Sequence, residues 1–196
     1  MAKSIKPIIM NHPEAYLKVI IGPMWSGKST EVINIYKYNR IAQIETLVVN
    51  FAEDKRYHET KLSTHDKVMI PCVKVERIYD VFEKDPELLK QIDVYLINEG
   101  QFFPDLFDVV RLLVNSHQKT VYVGGLDSDF EMKEFGQILK LIPLATTYEK
   151  LYAKCSKCGV PASFTKRLTS DKTQTIIGGE GMYIPVCRKC HNSENI

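Results

Sequence analysis

The chain has 196 residues, 26 Lys+Arg against 24 Asp+Glu, a formal net charge of +2 and 44% apolar residues. That apolar share supports a real core and excludes general disorder. Nearly balanced charge excludes a broadly basic nucleic-acid binder, and no apolar run of about 18 residues offers a membrane-spanning helix.

The first fourteen residues carry Lys3, Lys6, Pro7 and Pro13 and lack the apolar stretch of a signal peptide. A cytoplasmic location is expected. In that reducing setting, five cysteines point to metal or chance before disulfides. The first strong element is the apolar run Leu17–Ile21, read as a buried strand. It runs straight into Gly22-Pro23-Met24-Trp25-Ser26-Gly27-Lys28-Ser29-Thr30, which fits G-x-x-x-x-G-K-[ST]. A helical stretch from Lys28 to about Ile41 follows, with Val32, Ile33, Ile35 and Tyr36 apolar. Strand, loop and helix in that order form a phosphate loop. Gly22 and Gly27 allow torsions and close approach that a Cβ would block. Loop amides and the helix N-terminus then point at phosphate oxygens. Lys28 is placed for the β- and γ-phosphates of ATP and Ser29 for Mg²⁺.

Thr46–Asn50 reads as the next strand and Tyr79–Gln91 as a helix interrupted at Asp85-Pro86. Cys72 reads as a small buried apolar residue. Val94–Asn98 is a third strand, with Glu99 just beyond it. Such a strand usually ends in an acid that holds Mg²⁺ through water. Asn98 keeps an oxygen acceptor but lacks the charge, so weaker metal binding is expected. Glu99 is then a candidate general base toward an attacking hydroxyl. One helix over Asp105–His117 is expected, because Leu106, Val109, Val110, Leu113 and Val114 share its face. Thr120–Gly124 is the fourth strand. Strands alternating with helices imply an α/β, P-loop NTPase-type parallel sheet flanked by helices.

The pattern changes after about Leu144, and we divide the chain into 1–147 and 148–196. The second part is loop-rich, with Cys155-x-x-Cys158 and Cys187-x-x-Cys190 separated by 28 residues. Two short pairs present four thiolates to one tetrahedral Zn²⁺, and an all-cysteine set makes a closed, structural site. So small a piece needs such a staple. The spacer exceeds that of a common zinc ribbon and suits a loop that leaves the metal, closes over a ligand and returns.

Together these segments resemble the type II thymidine kinases, the cytosolic zinc-containing family. The resemblance is carried by the phosphate loop, with Trp25 where the family usually has Phe. It is also carried by Ile97-Asn98-Glu99-Gly100-Gln101-Phe102-Phe103-Pro104, with Asn98 in place of Asp. Asp54-Lys55-Arg56, Gly125–Phe130, Phe135-Gly136, Phe164–Arg167, Ile177-Gly178-Gly179 and Tyr183 resemble further family segments. The resemblance implies transfer of the ATP γ-phosphoryl to the 5′-hydroxyl of thymidine, and of deoxyuridine as a second substrate, in deoxynucleotide salvage. It implies Glu99 as the base. Gly22–Ser29, Asp54, Arg56, Asn98 and Gln101 are implied around ATP and its metal. Met24, Phe102, Leu126, Phe130, Phe135, Thr165, Gln174, Thr175, Ile176, Ile177, Gly178 and Tyr183 are implied around the nucleoside. The last part forms a substrate lasso, held largely through backbone groups. A homotetramer with dTTP as feedback inhibitor is also implied, with no nucleic-acid or membrane partner. Two other readings stay open at this point. One is a nucleotide-binding homologue without catalysis, because Asn98 removes a charge. The other is a zinc module that binds nucleic acid through Lys154, Lys157, Lys166, Arg167, Arg188 and Lys189.

Overall fold

The computed structural model describes residues 14–54, 61–63, 68–176, 178 and 181–193. The roles expected of Arg56 and Ile177 lie outside these residues, as do His58, His65 and Asp66. The chain enters on β1 (Tyr16–Ile21), passes the glycine-rich loop and forms α1 (Lys28–Ile41). It continues through β2 (Thr46–Phe51), the short antiparallel pair β3 (Lys61–Ser63) and β4 (Met69–Pro71), and β5 (Val73–Val75). The helical stretch after it divides at Asp85-Pro86 into α2 (Tyr79–Lys84) and α3 (Leu88–Gln91), as proline requires. Then come β6 (Val94–Ile97), α4 (Leu106–Arg111) and β7 (Thr120–Gly125).

One expectation needs correction. The helix expected over Asp105–His117 is α-helical only to Arg111, and Leu112–Ser116 forms a wider π turn. The His117 N–H reaches back five residues to the Leu112 carbonyl at 3.2 Å. The apolar run Leu112-Leu113-Val114 is broader than one α-helical stripe. The widened turn buries both Leu113 and Val114.

The strands β5-β2-β6-β7-β1 form a parallel sheet, and β8 (Thr147–Lys150) adds a sixth strand beside β1. The expected division between 147 and 148 falls within this strand. Period-two alternation sorts the side chains onto two faces. Leu17, Val19, Tyr95, Ile97, Val121 and Val123 meet α2, α4 and the 3₁₀ segment Ile138–Leu144 on one face. Ile20, Leu96, Val48 and Tyr122 meet Val32, Ile33 and Ile35 of α1 on the other. A buried leucine such as Leu113 contributes about 2–5 kcal/mol, judged by truncation to alanine. Helices on both faces leave only the carboxyl ends of the strands open, and there the functional loops gather.

The remainder is built from two hairpins, β9 (Ala153–Lys154) with β10 (Pro161–Ala162) and β11 (Phe164–Arg167) with β12 (Tyr183–Val186), followed by α5 (Arg188–Asn192). Among the described residues its core cluster is Cys155, Ala162 and Val186, with Phe164, Ile184, Cys187 and Cys190 packed partly against it. That is too little apolar surface to hold such a piece by itself.

Candidate functional site

At the end of β1 the chain turns at Gly22, whose φ is +148°. A Cβ there would stand 2.5 Å from the Leu151 carbonyl oxygen. Gly27 caps α1 in the left-handed region (φ +92°), with no side chain covering the helix N-terminus. Its uncapped amides are a ready anion site. Lys28 is buried and folds back over the loop. Its Nζ donates to the Pro23 carbonyl at 2.6 Å and lies 3.5 Å from Ser26 Oγ.

Ser29, one residue on, donates from Oγ to Asn98 Oδ1 at 3.1 Å. Asn98 is buried and donates from Nδ2 to Asn50 Oδ1 at 2.9 Å. Asn50 in turn donates to Asp54 Oδ2 at 3.2 Å. Four expected or adjacent residues from α1, β6, β2 and the loop after β2 thus form one directed line. Three of its members were expected at the site. Asn50 was not, because an asparagine near a strand end carries no local signal. Hard oxygens at the loop end of this line suit Mg²⁺.

Glu99 follows Asn98 with a left-handed backbone (φ +56°), uncommon for a residue with a side chain. Its Oε2 accepts from Gln101 Nε2 at 2.6 Å, and Gln101 Oε1 accepts from the Leu126 N–H at 2.9 Å. Gln101 therefore ties Glu99 to the end of β7. Gly125 makes room for this, since a Cβ there would meet Gln101 Oε1 at 2.5 Å.

From Phe102 and Leu126, which flank Gln101's contacts, opens a cleft lined also by Met24, Phe130, Phe135, Thr165, Gln174, Ile176, Gly178 and Tyr183. Every one of these was expected from the sequence. Ser128 and Asp129 also line it and were missed, although both lie inside a quoted segment. Thr175 is exposed and does not line it. Phe102 stacks on Phe51 at 5.1 Å and meets Phe135 edge-on at 5.4 Å. Phe103, next to it, lies in the core and is 1% exposed. Asp129 is buried and shapes the rim. Its Oδ1 accepts from the Glu131 and Lys133 N–H groups, and its Oδ2 from Gln174 Nε2 at 2.8 Å. Thr165 Oγ1 accepts from the Met24 N–H at 3.0 Å, joining β11 to the phosphate loop.

The four expected cysteines converge. The sulfurs of Cys155, Cys158, Cys187 and Cys190 all lie within 4.8 Å of one another. The Cys158 and Cys187 sulfurs are 3.6 Å apart, against roughly 3.8 Å for the edge of a tetrahedron with Zn–S near ~2.3 Å. Burial opposes ionisation of Cys155, but N–H groups near Cys187, Cys158 and Lys157 outweigh it and bring its pKa down to about 6. A thiolate is the form that binds metal. His191 is not part of this set: its Nε2 lies 2.8 Å from the Phe130 carbonyl oxygen. Cys72 is half-buried against the α1 face of the sheet, and burial pushes its thiol pKa up. His117 is exposed.

The surrounding cations are largely committed internally. Arg167 is buried, Lys166 Nζ donates to the carbonyls of His191 and Ser193 at 3.0 and 2.8 Å, and Arg188 lies over the Phe164 ring. Three of the six cations weighed as a nucleic-acid surface are thus occupied with holding their own fold.

Comparison with known proteins gives one consistent result. The family model described as "Thymidine kinase" matches residues 15–191. A thymidine kinase of sheeppox virus is 42% identical over 176 residues, which is 90% of this chain and 96% of the relative. The cytosolic thymidine kinase of Gallus gallus is 40% identical over 187 residues, 95% of this chain and 81% of the relative. The thymidine kinase of vaccinia virus (strain Western Reserve) is 42% identical over 176 residues, again 90% and 96%.

Proposed function

Because this chain belongs to the thymidine kinase family and is an ATP-dependent kinase acting on thymidine, we propose that Glu99 is the base that takes the 5′-hydroxyl proton. The observation that carries this is the position of Glu99. It directly follows Asn98, which Ser29 of the phosphate loop contacts, and its carboxylate accepts from Gln101, which also accepts from Leu126 of the cleft. Phosphoryl transfer needs mainly positioning and charge neutralisation. The loop amides, Gly22 to Ser29, cradle the ATP phosphates. Lys28 leaves the Pro23 carbonyl for the β- and γ-oxygens. Asp54 and Gln101 flank them. Phe102, Phe130 and Phe135 offer faces for a flat base, and Tyr183, Thr165, Gln174, Ile176 and Gly178 line the rest of the cleft around it. The 5′-oxygen then bonds to the γ-phosphorus as the bond from that phosphorus to the β,γ-bridging oxygen breaks, Glu99 takes the hydroxyl proton, and dTMP and ADP result. Deoxyuridine, which lacks one methyl group, is a second substrate.

Ser29, and Asn98 through a water, would hold Mg²⁺, which supplies charge neutralisation on the phosphates. Cys155, Cys158, Cys187 and Cys190 would hold one structural Zn²⁺. The chain acts as two parts, an ATP-binding region and a zinc-pinned lasso region. Thymidine triphosphate joins the nucleoside's base to an ATP-like phosphate chain, so it fits both halves of the site as a feedback inhibitor. A cytoplasmic homotetramer is the working assembly. Exposed Tyr38 and Ile41 on α1 offer apolar surface for a subunit contact. Among the described residues no helix is long and apolar enough to cross a membrane.

Substitution Glu99→Gln keeps size and removes the base. The expected result is a fall in kcat on thymidine of about 10²–10⁴-fold with little change in ATP binding. An unchanged kcat removes Glu99 from this role.

A further inference from the structure

Arg167 ends β11 and is 4% exposed. A guanidinium keeps its charge, so its burial is costly unless its donors are met. All five N–H groups find oxygen. Nε and one Nη2 proton reach the Tyr183 hydroxyl at 3.2 and 2.7 Å. The other Nη2 proton reaches the Gln174 carbonyl at 3.1 Å. Nη1 reaches the carbonyls of Asp171 and Thr173 at 2.9 and 2.5 Å. The Tyr183 hydroxyl then donates to the Ile176 carbonyl at 2.8 Å. The flat face of the guanidinium lies 3.8 Å from the centre of the Phe130 ring.

These partners share one feature. The carbonyls belong to a single loop with no helix or strand of its own over 171–176, and Phe130 stands in the same cleft. The loop's shape is imposed largely from outside: Arg167 holds three of its carbonyls and the Tyr183 hydroxyl a fourth, while Gln174 Nε2 is tied to Asp129 and the Glu134 carbonyl. The cysteine turns do not need it. Cys155 N–H bonds to the Val160 carbonyl, and His191 N–H to the Cys187 carbonyl.

We propose that Arg167 is a positioning residue for thymidine: it locks the 171–176 loop and the Phe130 ring into one rigid wall of the cleft. The proposal rests on the reading of that cleft as the thymidine site. Lysine cannot replace it, because an ammonium has three donors on one point and no flat face to lay on Phe130.

The test uses Arg167→Lys and Arg167→Gln in the full chain. In the ligand-free protein, amide hydrogen exchange across 168–176 is expected to quicken by roughly tenfold or more as the loop loses its anchor. The thymidine KM is expected to rise on the order of 10- to 100-fold, the factor carried by one or two lost charge-assisted hydrogen bonds. The KM for ATP, kcat and zinc content are expected to hold. Unchanged exchange over 168–176 overturns the proposal and leaves the cleft reading standing. Faster exchange with an unchanged thymidine KM overturns the cleft reading and the proposal with it. Loss of zinc or of the folded state in both variants makes Arg167 a structural residue, which also overturns it.

Discussion

At the end of β6 an amide stands where a carboxylate is usual. The structure shows what surrounds it: Ser29 donates to Asn98, Asn98 to Asn50, and Asn50 to Asp54. The line fixes which way the Asn98 amide faces, with its oxygen toward the phosphate loop. It also sets the buried carboxylate of Asp54 at the far end. Substitution Asn98→Asp therefore has two opposed effects. The added charge should lower the Mg²⁺ concentration needed for half-maximal thymidine phosphorylation. The new carboxylate faces the Asn50 oxygen, so the same change should destabilise the ligand-free protein by about 1–3 kcal/mol. Mg²⁺ titration of activity and thermal denaturation read the two effects separately. An unchanged Mg²⁺ requirement counts against Asn98 at the metal. Asn98 itself was legible, because it adjoins an apolar strand and Glu99. Asn50 was not, since only parallel pairing of β2 with β6 brings it to Asn98.

At the scale of elements, the stretch from β1 through the loop into α1 is the most completely readable part of the chain. Its helix has the expected limits, Lys28–Ile41. The reason is that the features that mark it are local: glycine torsions, an apolar strand and an uncapped helix start. Gly22 adds a tertiary constraint, the Leu151 carbonyl from the segment after β8. Gly22→Ala puts a Cβ into that oxygen at an unfavourable φ, so the loop must shift. The expected result is a rise in the KM for ATP of at least about tenfold, since a misplacement near 1 Å suffices for losses of that order or more. Steady-state kinetics with varied ATP measures it, and a wild-type KM refutes the strained-turn account. The π turn at Leu112–Ser116 shows the opposite case. Its apolar spacing resembles ordinary helix, and packing against the sheet decides the extra residue per turn.

Across the whole molecule, the apolar core is distributed unequally between the sheet and the cysteine-bearing hairpins. The sheet region has a large core on each face. Among the described residues the cysteine-bearing region has a core cluster of only three buried residues and a set of four converging thiols. Zinc is therefore expected to be one per chain. Its removal by a strong chelator should lower the thermal stability of the cysteine-bearing region and raise the thymidine KM, because β11, Thr165 and the Phe130 carbonyl all hang on it. Metal analysis together with melting curves and kinetics checks this. A metal-free chain with unchanged melting and unchanged KM rules out the structural role. The sequence by itself determined the alternation of strands and helices, the phosphate loop, Glu99 and the four cysteines, because each is written in short-range spacing and residue chemistry. Only the tertiary structure decided that Asn50 orients Asn98, that Asp129 shapes the rim, and that Arg167 is buried against Phe130 and not displayed on a basic surface. Those roles depend on which distant residues the fold brings within about 3 Å, the reach of a hydrogen bond, and spacing along a chain does not encode that distance.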